Sequence, residues 1–314
     1  TAPPERTLSS ACAGAVLPSI KSIEAGQYVP LSRPLFMYVN KASLKRPEVA
    51  AYLKYMLEEG QELVSKVQYI RLDAASLEDS KKGLAEEIAD VKLDQELKGN
   101  IKIDGSSTVF PIAQTAAEFF LEKHPEVLPA VGKSGTGGGF KKFVLGETDI
   151  SNASRPISAT EIEQCAKNKV EYVELKIAID GLAVVVNPQN EFCECLTVEQ
   201  LKQVWEPDSK VKTWNQLNPD WPAEEIKLYG PDTDSGTFDY FTEVVCGKSK
   251  ASRSDYISST EDNVLVKGVE GDKFSLGYFG YAYYAENSSS LKAVGIHPPA
   301  PKSESKPATE GDKK

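Results

Sequence analysis

Three short clusters of glycine and small hydroxyl residues lie between strand-like and helix-like runs of this 314-residue chain. They are residues 105–111 (Gly-Ser-Ser-Thr-Val-Phe-Pro), 134–140 (Ser-Gly-Thr-Gly-Gly-Gly-Phe) and 234–238 (Asp-Ser-Gly-Thr-Phe). Such a turn presents backbone N–H groups and hydroxyls at a helix N-terminus, where the helix dipole favours an anion. A single cluster of this kind is often an ordinary turn. Three in one chain predict an oxyanion-binding site.

The residues around the clusters alternate between strand and helix patterns. Residues 34–39 form a compact apolar run of strand length, and Ser158 and Thr197 each open a helix with a capping box. Residues 170–186 are rich in strand formers, and we expect this strand to break at Asp180-Gly181. The alternation predicts α/β layers with largely parallel sheets.

The composition bounds the class of protein. The chain is 40% hydrophobic and 26% charged, which is typical of a soluble globular protein with about two domains or lobes. Its apolar runs are too short to cross a bilayer. No charged segment followed by an apolar run opens the sequence, so we expect that any signal peptide has been removed or was never there. The net charge of −10 argues against nucleic-acid binding but not against a small-anion site.

The cysteines and histidines do not form a metal-binding pattern. Cys193-Glu194-Cys195 is too tight for the usual zinc spacing, and the two histidines lie in dissimilar loops. We therefore expect neither a metal nor a cofactor. A disulfide from Cys193 or Cys195 to Cys246 is the preferred pairing, and the odd total of 5 cysteines leaves at least one thiol free.

The clusters do not match common catalytic motifs. Ser235 superficially resembles a serine nucleophile, but a triad needs a histidine base, and neither His124 nor His297 lies in a catalytic motif. Residues 134–139 lack the Gly-Lys-Ser/Thr end of a P-loop, and their glycines are consecutive rather than spaced as in a dinucleotide fingerprint. The sequence predicts anion recognition rather than an enzyme.

Arg155 is the arginine that the pattern places near such a site. It directly follows a predicted strand, and Pro156 keeps it extended. Its planar guanidinium suits two parallel hydrogen bonds to an oxyanion. A solvent-facing arginine is equally consistent with the sequence at this point.

Several segments together resemble the PstS-like phosphate-binding proteins of ABC transporters. They cover most of the chain from about residue 19 to residue 297 and comprise residues 28–36, 103–111, 134–140, 153–157, 180–188, 232–238 and 276–283.

The order of these segments departs from that family. Its members open with the Asp-Gly-Ser-Ser-Thr strand and close with the Pro-Leu-Ser-Arg-Pro-Leu-Phe strand and its helix. Here the closing segment, about residues 12–72, comes first. The resemblance therefore implies a circular permutant, or a unit cut out of phase from tandem repeats with residues 93–100 as the former linker. Permutation is tolerated where the original termini are close in space and the new break is exposed.

The resemblance implies a two-lobed, type II periplasmic-binding-protein fold, with crossing strands near residues 31–35 and 177–182 and the ligand in the cleft. In the permuted order, lobe II combines residues 1–33 and 178–298, and lobe I is residues 34–177. We expect residues 299–314 to form a flexible polar tail, because almost nothing in them is apolar.

The resemblance also implies high-affinity binding of inorganic phosphate for uptake or scavenging. Carried over by motif, the phosphate-binding residues are Ser106, Ser107, Thr108, Ser134, Thr136, Gly137, Arg155, Ser235, Gly236 and Thr237. Some members have an aspartate after Ala-Ser, where this chain has Arg155. We nominate Asp180 as the acceptor of the phosphate proton, because it lies at a predicted crossing strand beside the cleft. Asp234 or Asp104 is next, and a hinge-turn role for Asp180 is the alternative.

The same resemblance implies a periplasmic, secreted or cell-surface monomer that delivers phosphate to an ABC permease. Two other classes of function stay open at this stage. One is a binder of another oxyanion, such as sulfate or a phosphonate. The other is a phosphate-ester hydrolase or a structural surface protein on the same fold.

Overall fold

The computed structural model describes residues 6–93, 96–233 and 235–299. Its strands are β1 (Ser32–Asn40), β2 (Gly99–Gly105), β3 (Val127–Val131), β4 (Ile150–Ala153), β5 (Tyr172–Val186), β6 (Cys195–Thr197), β7 (Lys227–Pro231), β8 (Ile257–Ser259), β9 (Ser275–Gly280), β10 (Lys292–Ala293) and β11 (Gly295–His297). Its α-helices are α1 (Ile20–Glu24), α2 (Lys41–Leu44), α3 (Pro47–Leu57), α4 (Gly60–Lys66), α5 (Ala74–Glu87), α6 (Phe110–Lys123), α7 (Thr136–Phe143), α8 (Ala159–Lys167), α9 (Val198–Trp205), α10 (Gly236–Cys246), α11 (Asp262–Gly271) and α12 (Tyr281–Glu286).

One continuous sheet runs through the described residues in the order β3-β2-β4-β1-β5-β9-β7-β8, with β10 also paired to β5. Strands β2, β3 and β4 are parallel to one another, and so are β7, β8 and β9. The first group is called the β2 half and the second the β7 half. Between them, β1 runs antiparallel to β4 and β5, and β5 runs antiparallel to β9. The predicted α/β layering is confirmed, and the sheet is parallel within each half.

Strand β5 crosses from one half to the other without interruption. The expected break at Asp180-Gly181 is wrong: Gly181 pairs with Ser32 of β1, and the strand continues into its pairing with β9. A Cβ on Gly181 would lie 3.1 Å from both Ile23 and Ile70. The glycine therefore serves close packing at the crossing rather than a turn, and ladder pairing on both sides overrides the turn propensity of the dipeptide.

The buried apolar side chains of the described residues group around the two halves of the sheet. One large cluster includes Leu31 and residues 182–186, and another includes Leu35 and Ala178. The clusters thus meet on β1 and β5, close to the boundaries proposed from the sequence at residues 33/34 and 177/178. Ile70 comes from the segment between α4 and α5 but packs in the cluster of the β7 half.

Two helices differ from the sequence prediction at their ends. The helical spacing of the apolar residues in 46–59 predicts one helix that Gly60 ends, but α3 ends at Leu57 and Gly60 instead opens α4. The helical spacing of apolar residues in the charged stretch from residue 77 to about residue 97 predicts a second helix. The observed helix α5 begins earlier, at Ala74, because Asp73 caps it by accepting from the N–H groups of Ala75 and Ser76, and it ends at Glu87.

The disulfide joins Cys12 to Cys195 rather than Cys193 or Cys195 to Cys246. Cys193 is fully buried, which raises the pKa of its thiol to about 12.

The segment bearing Cys12 lies against β11, near the other end of the described residues, because Val16 forms a backbone bridge with Ile296. Residues 1–14 are rich in small and polar residues, which predicts mobility unless a partner or a disulfide holds them. Residues 6–14 are tied down by the disulfide. Residues 1–5 and 300–314 of the predicted mobile ends lie outside the described residues.

We expect Cys12→Ser to lower the free energy of unfolding by about 2–5 kcal/mol, because the disulfide closes a very long loop in the unfolded chain. The two cysteines are 183 positions apart. Denaturant unfolding under non-reducing conditions measures the change. Cys246→Ser, which alters a free and partly exposed thiol, is the control. Equal unfolding midpoints for wild type and Cys12→Ser would contradict the prediction.

Candidate oxyanion site between the two halves of the sheet

All three glycine-hydroxyl clusters lie where the sequence predicts, between a strand and the N-terminus of a helix. The first joins β2 to α6, the second joins β3 to α7 and the third joins β7 to α10. The first turn needs a glycine: Gly105 has a φ of 140°, and a Cβ there would lie 2.1 Å from the carbonyl oxygen of Asn152. In the third, the Ser235 hydroxyl caps α10 by accepting from the N–H of Thr237 at 3.2 Å.

The first and third clusters meet across the two halves. A Cβ on Gly236 would lie 2.9 Å from Thr108 Oγ1, so the turn after β2 touches the start of α10. Ser106 and Thr108 are buried, at 2% and 3% exposure. The remaining predicted binding residues of these two clusters are partly exposed and comprise Ser107, Ser235, Gly236 and Thr237.

The second cluster packs against the first within the β2 half. A Cβ on Gly139 would lie 2.5 Å from the Cα of Gly105, so α7 approaches the turn after β2 closely. Thr136 Oγ1 lies 3.0 Å from Ser154 Oγ and accepts from the Ser154 N–H at 3.2 Å. Ser134 and Gly137 are exposed. The second cluster is therefore held between the ends of β2 and β4.

Arg33 lies at this meeting point, and the sequence analysis did not single it out as a binding residue. Its Nη2 donates to Thr108 Oγ1 at 3.3 Å, its Nε lies 3.4 Å from Asp180 Oδ2, and its Nη1 lies 3.6 Å from Glu243. The guanidinium sits 3.6 Å from the centre of the Tyr240 ring. Arg33 therefore connects both crossing strands, the first cluster and α10.

Asp180 faces Arg33 because the register of β1 and β5 pairs these two positions. The Asp180 residue is 4% exposed. Burial raises the pKa of Asp180, and the attraction of the Arg33 guanidinium counteracts only part of that rise. The carboxyl nominated from the sequence is thus a buried group beside the first cluster.

Arg155 has its guanidinium engaged by a neighbour. Its Nη1 and Nη2 donate to the two carboxylate oxygens of Glu161, each at 2.9 Å. Glu161 belongs to the capping box that Ser158 opens at α8, so this pair is fixed locally. The Arg155 side chain is 37% exposed, compared with 13% for Arg33. Of the two arginines, Arg33 is the more buried and the one in contact with Asp180.

Comparison with known proteins assigns the family. The sequence matches the family model described as a PBP superfamily domain over residues 90–313, which is more than half of the chain. The chain belongs to the PBP superfamily.

Of three relatives of this PBP superfamily member, two carry phosphate-binding names. Protein SphX of Synechocystis is 50% identical over 63% of this chain and 59% of its own length. The phosphate-binding protein PstS of Staphylococcus saprophyticus is 44% identical over 63% of this chain and 61% of its own. A crystal structure of a possible phosphate binding protein from Planctomyces limnophilus is 57% identical and matches with a TM-score of 0.62, covering 64% of this chain and 71% of that one. The predicted resemblance and two-lobed fold are confirmed.

The match is partial in length. This chain spans about three fifths of the curated relatives SphX and PstS. The PBP superfamily match starts at residue 90, yet residues 32–87 supply β1 and helices α2 to α5. Leu35, Met37 and Leu53 of this preceding segment pack in the same buried cluster as Ile103 of β2. The first part of the chain is thus integral to the fold and not a separate appendage.

The possible metal ligands and the two histidines of the described residues lie as follows. No group of histidine, cysteine, aspartate or glutamate side chains in that part of the chain could hold a metal ion. His124 packs on the ring of Phe120, and His297 pairs with Thr197 at the β11-β6 edge. Every helix in the described ranges is too short or too polar to traverse a lipid bilayer.

Proposed function

We propose that this PBP superfamily member binds inorganic phosphate between its two lobes, for uptake or scavenging. The observation that carries the proposal is the Arg33–Asp180 pair on the crossing strands, which lies against the first cluster and close to the start of α10. Two helix N-termini, one guanidinium and one buried carboxyl suit an oxyanion that still carries a proton. The phosphate-binding names of the relatives support this choice of anion.

Neutral donors from both lobes surround the proposed phosphate. A desolvated anion is unfavourable unless each oxygen accepts several hydrogen bonds, and dispersed hydroxyl and N–H groups meet that need. From the β2 half and the β7 half together, the proposed donors are Ser106, Ser107, Thr108, Ser134, Thr136, Gly137, Ser235, Gly236 and Thr237. Because the donors belong to both lobes, binding favours the closed arrangement of the cleft.

Arg33 takes the central role that the sequence analysis gave to Arg155. A guanidinium has five N–H donors, and the three contacts of Arg33 at 3.3–3.6 Å leave it able to donate to a ligand. Arg155 stays in the proposed site as a second, outer positive charge. The hydrogen bond to Glu161 raises the pKa of Arg155 most, burial lowers it, and the charges of Glu161 and of Glu243, which also contacts Arg33, raise it further.

Asp180 is the proposed acceptor of the phosphate proton. Of the alternatives, Asp104 has both carboxylate oxygens occupied by Gly105, Ser134 and Lys142. Asp234 lies outside the described residues. Asp180 is the buried carboxyl in contact with Arg33, which places it where a bound anion would meet both groups.

We further propose an extracytoplasmic monomer that passes phosphate to an ABC permease and has no catalytic step of its own. The Cys12–Cys195 disulfide supports an oxidising compartment. The family-level resemblance to substrate-binding proteins supports binding rather than catalysis.

The chain order is proposed to be circularly permuted relative to these relatives. A comparison that preserves chain order can match only one block of a permuted chain, which is consistent with a match starting at residue 90 although the earlier residues share the same sheet. The Val16–Ile296 bridge also brings the two ends of the fold together. A superposition on the Planctomyces limnophilus structure that ignores chain order tests this: β1 and α3 should fall on the last strand and helix of that chain.

Calorimetric titration of the full chain with phosphate, arsenate and sulfate tests the proposed function. We expect phosphate to bind, arsenate to compete with it and sulfate to compete weakly. Sulfate binding as tight as phosphate binding would favour the general oxyanion alternative. Release of product from a generic phosphate ester, lost in Arg33→Met, would favour the hydrolase alternative.

A further inference from the structure

Asp104 is a buried carboxylate whose hydrogen bonds join two of the anion-binding turns. It is 7% exposed and lies one position before the end of β2. Its Oδ1 accepts from the N–H of Gly105 at 2.7 Å and from the N–H of Ser134 at 3.0 Å. Its Oδ2 accepts from the ammonium of Lys142, in the last turn of α7.

These contacts keep the carboxylate charged. Burial by itself raises the pKa of Asp104, but the hydrogen bonds from Lys142, Ser134 and Gly105 outweigh burial and hold that pKa below its usual value. A charged Asp104 already accepts from three donors that belong to the two turns, which separates its role from that of Asp180.

The backbone approaches Asp104 and its neighbour Gly105 closely. A Cβ on Gly132 would lie 2.7 Å from the Asp104 carboxyl carbon, and a Cβ on Gly139 would lie 2.5 Å from the Cα of Gly105. The segment from β3 into α7 therefore closes around this side chain. The distance between the first and second clusters is set by the carboxylate and by the glycines that let the backbone approach it.

We propose that Asp104 is a positioning residue that, together with Lys142, locks the first and second clusters in the arrangement that binds the anion. It acts through the N–H groups of Gly105 and Ser134 and does not touch the anion. Lys142 also neutralises the charge of Asp104, which would otherwise repel an anion nearby. This inference rests on the proposed function of the clusters as a phosphate site.

The effect of Asp104→Asn on phosphate affinity distinguishes a positioning role from an effect of charge alone. Asp104→Asn removes a negative charge beside an anion site, so charge alone predicts tighter phosphate binding. Positioning predicts weaker binding, because the new amide NH2 faces the Lys142 ammonium and the pair that holds α7 is broken. We expect Asp104→Asn to raise the Kd for phosphate about tenfold or more, the scale of a lost hydrogen bond to a charged group. The loss should persist at high salt, where charge effects between exposed groups are screened.

The experiment is a calorimetric titration of inorganic phosphate into the full chain at low and high salt. The proteins are wild type, Asp104→Asn, Lys142→Met, the double variant and Lys141→Met. Lys141 is an exposed lysine on the same helix, so its replacement is the matched control for charge. We expect Lys142→Met to weaken binding, the double variant to be no weaker than Asp104→Asn, and Lys141→Met to bind nearly as wild type does. Hydrogen exchange is measured on the unliganded Asp104→Asn and Lys141→Met proteins. Only Asp104→Asn should exchange the Ser134 amide faster than wild type does.

Binding by Asp104→Asn that equals or exceeds wild type would overturn the positioning role. If Asp104→Asn does not fold, Lys142→Met decides, because it alters an exposed side chain: an effect no larger than that of Lys141→Met overturns the proposal. Failure of wild type to bind phosphate would instead reject the proposed function. In that case the exchange measurement still tests Asp104, and unchanged protection of the Ser134 amide would reject its role.

Discussion

Arg33→Met is expected to weaken phosphate binding by about two orders of magnitude or more, the scale for removing one member of a buried charge pair. Arg33 contacts Asp180, Thr108 and Glu243 and stacks on Tyr240, so its position between the lobes is fixed from several sides. Methionine fills similar volume but supplies no donor and no charge. Calorimetric titration with phosphate gives the ratio of Kd values, and thermal unfolding confirms that the variant is folded.

Arg155→Met is the matched comparison, because it removes the same type of group from the other arginine of the proposed site. We expect a change in Kd of less than about tenfold, since the Arg155 guanidinium is exposed enough for solvent to weaken its charge effects. Its hydrogen bonds go to Glu161. A larger loss for Arg155→Met than for Arg33→Met would restore Arg155 as the central arginine and contradict our assignment. Arg33→Lys should also bind poorly, because a lysine cannot reproduce the planar donor geometry.

The local parts of the site could be predicted from the sequence. Each glycine-hydroxyl cluster lies next to the strand and the helix that define it, so the pattern predicts both the turn and the helix N-terminus. The capping boxes at Ser158 and Thr197 are confirmed for the same reason: donor and acceptor are three residues apart. Such short-range interactions can be predicted because the interacting residues are close together in the sequence.

The remaining parts depend on pairing between distant segments. Arg33 and Asp180 meet because β1 and β5 pair in one particular register, and they are 147 positions apart. A shift of one residue would turn Arg33 to the other face of the sheet. The prediction of the disulfide was wrong for the same reason, because no local feature predicts that the segment of Cys12 packs beside β6. Arg33 and Arg155 both precede a proline after extended residues, and only the tertiary structure distinguishes them.

Asp180→Asn is expected to reduce the preference for phosphate over sulfate by about a hundredfold or more, because the acceptor carboxylate repels the fully deprotonated anion in a low-dielectric site. Near neutral pH phosphate carries at least one O–H, which can donate to Asp180, whereas sulfate carries none. An asparagine keeps one oxygen that accepts from phosphate and adds an N–H that donates to sulfate. The phosphate affinity should therefore fall less than the sulfate affinity rises.

Titrations of both anions into wild type, Asp180→Asn and Glu243→Gln measure this effect. Glu243 is the matched control, because it is a second carboxylate in contact with Arg33, at 3.6 Å. Its side chain is 52% exposed, so solvent weakens the electrostatic effect of its charge. We expect Glu243→Gln to keep the wild-type preference. Discrimination that survives Asp180→Asn would mean that another carboxylate accepts the proton, and Asp234 would be the next to test.

The pH dependence adds an independent check on the same group. Burial raises the pKa of Asp180, so lowering the pH protonates this carboxyl earlier than an ordinary aspartate. A protonated Asp180 has lost its negative charge and gained a donor, so wild type should bind sulfate more tightly as the pH falls through the raised pKa. Asp180→Asn has no such group and should bind sulfate with little change over the same range. A parallel pH dependence in both proteins would assign the effect to a different group and remove Asp180 from the selectivity mechanism.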